Sequence, residues 1–174
     1  MQAPGRSGRV NLNYEIIMNL SKISSILFLG GFIAAVGDIS YAIIFAITQG
    51  SSAEHLLQFV ATGLLGEAAF QGGWATAGFG LALHFAITFF ITFLFYMTSL
   101  RISFINRRPI IAGMALGIIV FIVMKFIVLP LSAFPYPINL KPLSTITNLL
   151  SHIFFFGIPI AVAVSKANEK YPLH

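Results

Sequence analysis

The chain has 174 residues, of which 57% are hydrophobic and 9% are charged. An ordinary soluble domain is about one-quarter charged, so this composition excludes a water-soluble globule. It also excludes a disordered chain, which needs high charge and low hydrophobicity. The chain has no cysteine, which excludes disulfides, thiolate metal sites and cysteine nucleophiles. The composition therefore predicts an integral membrane protein.

Four apolar segments are long enough to cross a bilayer, which takes about 20 mostly apolar residues. They cover residues 23–47, 75–100, 110–131 and 143–164. Glycine and serine end the first segment, an arginine-rich stretch separates the second from the third, and a proline-rich stretch follows the third. The sequence therefore predicts an all-α, four-helix transmembrane bundle within residues 23–165.

The positions of lysine and arginine predict the orientation, because cytoplasmic segments are enriched in both. Eight of the ten basic residues fall in the tail 1–22, the connection 101–109 and the tail 166–174. This pattern predicts an N-in, C-in bundle. The basic residues are split among three short segments, so no nucleic-acid site is expected. The expected partners are the lipid bilayer and a second copy or another membrane protein.

The N-terminal segment is expected to remain uncleaved. Its apolar run of about 25 residues exceeds the 7–15 of a signal peptide, and it contains Asp38. Residues 1–17 are polar and unpatterned, and are either a short tail or a stretch preceding a true start at Met18. An intact Met1 or Gln2 terminus in a mass spectrum would exclude the second alternative.

An amphipathic helix over about 52–70 is predicted between spans one and two. Ser51 and Glu54 have the spacing of a capping box, which marks a helix start. Polar residues then fall on one face and apolar residues on the other, which is typical of a helix lying in the membrane interface. It is either a connector that seals the outer face, or a lid over a cavity with Glu67 and Gln71 directed inward.

Four ionisable residues lie within the predicted spans: Asp38, His84, Lys125 and His152. Each costs roughly 2.5–3.5 kcal/mol in hydrocarbon, so each needs an explanation. Counting along the helices places all four in the outer half. Because helical side chains lean toward the helix N-terminus, Asp38 and Lys125 are expected to meet near the midplane as an ion pair. The two histidines are then expected just outside that pair.

Each of these residues also has a simpler explanation. Lys125 could extend past Pro130 to the interface. Asp38 could be protonated and hydrogen-bonded to Tyr41 or a backbone carbonyl, and either histidine could hydrogen-bond between helices. Tyr41, Thr88 and Asn148 lie on the same helix faces and are the expected supporting residues.

Four sequence segments carry a resemblance to known proteins: GGFIAAVGDISYAIIF, GLALHFAITFF, VMKFIVLPLSAFPYP and LLSHIFFFGIPIAVA. They resemble small bacterial inner-membrane proteins and are distantly similar to the YagU family. The resemblance covers roughly residues 23–164. It implies a four-span protein of the bacterial inner membrane, and it carries over no catalytic or binding residues.

Three functions remain open from the sequence. The first is a structural or accessory membrane component. The second is a small-solute or proton pathway that uses Asp38, Lys125, His84 and His152. The third is a b-type haem protein with His84 and His152 as axial ligands. No cofactor or metal is expected in the first two cases. An enzymatic interpretation has no motif behind it, since nucleophile elbows, HExxH and paired catalytic carboxylates are missing from the sequence.

Overall fold

The computed structural model describes residues 6–138 and 140–171, and this part of the chain is helical without any strand. The helices are α1 (Arg6–Thr48), α2 (Ala53–Leu65), α3 (Gly73–Ser99), α4 (Ser103–Arg107), α5 (Pro109–Val123), α6 (Leu129–Leu131), α7 (Pro142–Ser151) and α8 (Ile158–Lys170). A 3-10 turn follows α2 over Gly66–Gln71. Two π-helical turns, Met124–Val128 and His152–Gly157, join α5 to α6 and α7 to α8.

Within the described residues, four helical segments are long and apolar enough to cross a membrane. They are Ile17–Thr48, Gly73–Ser99, Pro109–Leu131 and Pro142–Lys170, called spans one to four below. The four predicted spans are thereby confirmed as helices of spanning length. The first helix extends back to Arg6, through most of the segment expected to be an unpatterned tail. Residues 1–5 and 172–174 of the predicted tails lie outside the described part.

The spans form an arc in the order two, one, four and three, in which α3 also contacts α8. Span one packs against α3 on one side and against α8 on the other, and α5 packs against the far side of span four. Spans two and three have little direct contact. The arc has two ends, named here the α2 end, which carries α2 and the 132–141 connection, and the α4 end, which carries α4. A hydrophobic cluster that includes Tyr96, Leu116 and Ile160 fills the arc toward the α4 end.

Spans three and four approach each other through glycine. A Cβ atom at Gly117 would lie 2.6 Å from the Cα atom of Ile153, and one at Gly157 would lie 2.7 Å from the backbone nitrogen of Gly117. Gly113 faces the backbone at Gly157 and Ile158 in the same way. The helices pack backbone to backbone, which small residues permit in membrane bundles. The GxxxG pair of span three is therefore used for packing.

Both π-helical turns end shortly before a proline. Pro130 follows the first turn and Pro159 the second. Proline lacks an N–H and its ring clashes with the carbonyl four residues earlier, so regular α-helical bonding fails there. The backbone instead forms bonds to the residue five positions earlier, from Leu129 N–H to the Met124 carbonyl and from Ile158 N–H to the Ile153 carbonyl.

Helix α2 packs closely along the first part of α3. Its N-cap is Ser52, whose hydroxyl accepts from His55 N–H at 3.0 Å, so the predicted cap at Ser51 is one residue early. Gln58, which belongs to the polar face of this amphipathic helix, is buried, and its Nε2 donates to the Gly73 carbonyl at 3.0 Å. Gly80 permits this contact because the backbone of Leu57 lies where a Cβ would stand.

A hydrogen-bonded network ties the bundle together at the α4 end. Asn168 Nδ2 lies 2.8 Å from Ser99 Oγ and 2.9 Å from Asn106 Oδ1. Asn106 Nδ2 donates to the Ser99 carbonyl at 3.1 Å, and Ser165 Oγ donates to the Asn106 carbonyl at 3.0 Å. These bonds link the ends of spans two and four to the connection between spans two and three.

Replacing Asn168 by alanine is expected to lower the free energy of unfolding by about 1–3 kcal/mol, since buried partners lose their hydrogen bonds. Thermal unfolding of the detergent-solubilised protein, followed by circular dichroism, measures the change. Glu169→Ala is the matched control, because Glu169 is the exposed neighbour on the same helix. Equal melting temperatures for the two variants would show that the network adds no stability.

Candidate functional site

The four ionisable residues singled out from the sequence line one cavity of about 950 Å³ toward the α2 end of the bundle. All four spans contribute to it, together with one side of α2 and the 132–141 connection. Its polar and titratable lining residues are Asp38, Tyr41, His84, Thr88, Lys125, Ser132, Tyr136, Ser144, Thr147, Asn148 and His152. Asp38, His84, Lys125 and His152, which the sequence predicts to converge, therefore all line this cavity.

Asp38 is held by two neighbouring residues of span four. Ser151 Oγ donates to Asp38 Oδ1 at 2.5 Å, and both residues are buried. His152 Nδ1 lies 3.7 Å from the same oxygen and donates to the Asn148 carbonyl at 3.0 Å. The three side chains therefore form one cluster of proton-donating and proton-accepting groups.

His84 lies one helical turn closer to the α4 end. Its Nε2 is 3.1 Å from the Ala35 carbonyl oxygen, which only accepts, so Nε2 carries the proton. The ring lies in the same cavity as Asp38 and His152. Ligation of a haem iron through Nε2 would require His84 to give up its bond to span one.

The predicted ion pair between Asp38 and Lys125 is not formed. Lys125 Nζ instead donates to Thr145 Oγ1 at 3.3 Å and lies 5.4 Å from the centre of the Phe121 ring. Thr145 is in the first turn of α7, so the lysine extends toward the α2 end, the direction of the snorkelling alternative. The π-helical turn that contains Lys125 redirects the side chain, and its flexible stem allows the reach.

The predicted order of depths is also wrong. The histidines were expected on the outer side of the Asp38–Lys125 layer, but His84 lies on the α4 side of Asp38. Thr145, the partner of Lys125, precedes Ser151, the partner of Asp38, by about 9 Å of helix rise. The cavity therefore places its ammonium near the α2 end and its carboxylate deeper. Counting along ideal helices missed the position of the ammonium because the flexible lysine stem carries it away from the depth of its own Cα atom.

The supporting residues contact the site as expected, whereas the lid residues do not. Tyr41 lines the cavity and stacks on Phe155 at 5.9 Å between ring centres. Thr88 is buried and donates to the His84 carbonyl at 2.8 Å. Glu67 and Gln71 are exposed and lie outside the cavity lining. The cavity is bordered instead by the apolar side of α2.

Sequence reasoning missed the direct partners Ser151 and Thr145. Serine and threonine are common in membrane helices, so neither stands out as a site residue by type. The π-helical turns could have been predicted from proline, because Pro130 and Pro159 each follow an in-span ionisable residue within two helical turns. A π-helical turn in a helix is frequently found at a functional site.

Among the described residues, no three His, Asp or Glu side chains are grouped so that they could bind a metal ion together. No protein-family model matches the chain, and no curated protein or solved structure is significantly similar to it. The geometry of the cavity is therefore the basis for inferring function.

Proposed function

We propose that the chain forms a pathway for a small solute or protons across the bacterial inner membrane, with the cavity as its binding site. The observation that carries this proposal is that Asp38, His84, Lys125 and His152, which come from four different spans, all line the same cavity. The Asp38–Ser151–His152 group is the proton-exchanging element of the pathway. His84 lies beyond it toward the α4 end and is the next group on the route.

The cavity favours this function over a purely structural one. Protein interiors are close-packed, and empty volume lowers stability. A scaffold gains nothing from keeping a space of about 950 Å³ among its spans. A scaffold that contained Asp38 and Lys125 for folding alone would also be expected to pair the two charges, because an unpaired charge within a membrane is costly.

The proposed orientation places the α4 end in the cytoplasm. Arg101, Arg107 and Arg108 are clustered at that end, and cytoplasmic segments are enriched in arginine. The cavity then opens toward the outer side. The hydrophobic cluster and the Asn168 network lie between the cavity and the cytoplasm, so they act as the inner closure of the pathway.

Flux measurements in liposomes test the proposal. The purified protein is reconstituted with a pH-sensitive dye inside the vesicles, and dye response is followed after a pH step. We expect proton flux through the wild type. We expect Asp38→Asn to reduce it by about tenfold or more, because the variant cannot exchange a proton at that position.

The matched control is Glu67→Gln, which makes the same chemical change at an exposed carboxylate outside the cavity. Its flux is expected to equal that of the wild type. The absence of wild-type flux, or equal flux in Asp38→Asn and the wild type, would instead support a structural role.

A further inference from the structure

The cavity contains the cation Lys125, which has no carboxylate partner among the described residues. Its titratable lining groups are Asp38, Tyr41, His84, Lys125, Tyr136 and His152. The carboxylate among them is engaged by Ser151 and His152. Lys125 Nζ carries three N–H donors, of which the Thr145 hydroxyl takes one, at 3.3 Å. The ammonium therefore retains donors for a group that enters the cavity.

A second positive feature lies beside this ammonium. Thr145, its partner, belongs to the first turn of the ten-residue helix α7, which begins at Pro142. The N-terminus of a helix carries a partial positive charge and favours anions. Ser144 of the same turn lines the cavity. The Lys125 ammonium and the start of α7 are both positive, and they repel each other unless an anion lies between them. Together they are complementary to a negatively charged group.

The remainder of the cavity wall is largely apolar. The α2 side contributes Leu56, Phe59 and Val60, and the 132–141 connection contributes Phe134. Phe59 and Phe134 pack edge to face with ring centres 5.1 Å apart. Ligand pockets of roughly 300–1,000 Å³ with an apolar wall and a few placed polar groups suit small organic molecules. The wall is complementary to a hydrocarbon body.

We propose that the ligand of this cavity is an amphiphilic anion, with its carboxylate or phosphate head between Lys125 and the start of α7 and its apolar body against α2. The inference rests on the proposed function in that both use the cavity as a binding site. The head could belong to a free amphiphilic solute or to an anionic membrane lipid. Asp38 repels the head from the deeper end and thereby orients the ligand.

Calorimetric binding in nanodiscs of phosphatidylcholine tests the proposal, with hexanoate, hexylammonium and hexanol as probes and empty nanodiscs to correct for partitioning. We expect saturable binding of hexanoate. We expect Lys125→Met to weaken it by about tenfold or more, since a charge-assisted hydrogen bond is lost. Lys125→Arg, which keeps the charge, should retain binding. Lys166→Met is the control, because Lys166 is exposed and outside the cavity.

A second arm replaces part of the phosphatidylcholine with phosphatidylglycerol. Unchanged hexanoate binding supports a free amphiphile as the ligand, and loss of hexanoate binding supports an anionic lipid. The proposal is overturned if hexanoate fails to bind in phosphatidylcholine, or if Lys125→Met binds it as well as wild type. Preferential binding of hexylammonium that Asp38→Asn removes would also overturn it and would assign a cation site.

The two proposals can fail separately. Hexanoate binding without flux would leave the ligand class standing and remove the pathway. Flux that depends on Asp38, in a protein that does not bind hexanoate, would leave the pathway standing and remove the ligand class.

Discussion

Substitution of Gly117 by leucine is expected to abolish the folded bundle. At Gly117 a Cβ atom alone would stand 2.6 Å from the Cα atom of Ile153, so both backbones would have to move apart. This helix pair holds Ser151 and His152 in place against Asp38. We expect the variant to elute as aggregate in size-exclusion chromatography in mild detergent. A monodisperse variant with the wild-type melting temperature would contradict the close packing.

A graded version of this experiment compares two alanine substitutions. Gly117→Ala is expected to lower the free energy of unfolding by about 1–3 kcal/mol through overpacking. Gly78→Ala is the matched control, because Gly78 is also a helical glycine in a span but has no atom within 4 Å of an added Cβ. That change should be neutral or stabilising by up to about 1 kcal/mol, since alanine is the better helix former.

Substitution of Pro159 by alanine is expected to abolish flux without unfolding the protein. The restored N–H at this position can bond to the carbonyl four residues earlier, so the π-helical turn His152–Gly157 can become α-helical. When the π-helical turn becomes α-helical, the helix on one side of it rotates relative to the helix on the other side by about 100°, the angle of one residue. Because α8 packs extensively against span one and α5, whereas α7 packs against them only weakly, we expect the α8 side to be held and α7 to rotate. Ser151 and His152 then leave Asp38.

Liposome flux and thermal unfolding are measured together on this variant. We expect flux at the level of empty liposomes and a melting temperature at or above that of the wild type, because irregular functional geometry is often kept at some cost in stability. Pro109→Ala serves as control. Pro109 occupies the first position of α5, where a missing N–H costs nothing. Wild-type flux in Pro159→Ala would show that the π turn has no functional role.

The fold could be predicted largely from apolar runs, because a span of about 20 apolar residues is a strong and local signal. The structure places four spanning helices where the sequence predicts them, within a few residues at most ends. The α2 region was predicted as a helix, but its buried Gln58 was not, since burial against α3 depends on the absence of a side chain at Gly80. Such long-range close approach leaves no pattern within α2 itself.

The ionisable residues that line the cavity could be identified from the sequence, whereas their hydrogen-bond partners Ser151 and Thr145 and their geometry could not. The high cost of ionisable groups in hydrocarbon identified Asp38, His84, Lys125 and His152, and all four line the cavity. Their pairing depended on side-chain direction, which was taken from ideal α-helices. The π-helical turns at Lys125 and His152 change that direction, and Lys125 finds Thr145 instead of Asp38.

The hydrogen bond between Asp38 and Ser151 joins residues 113 positions apart in the chain. A ribosome that adds roughly 5–20 residues per second makes the serine roughly 6–23 seconds after the aspartate. The first span is therefore made before Ser151, and the hydrogen bond between this hydroxyl and the Asp38 carboxyl group can form only after the last span has been synthesised.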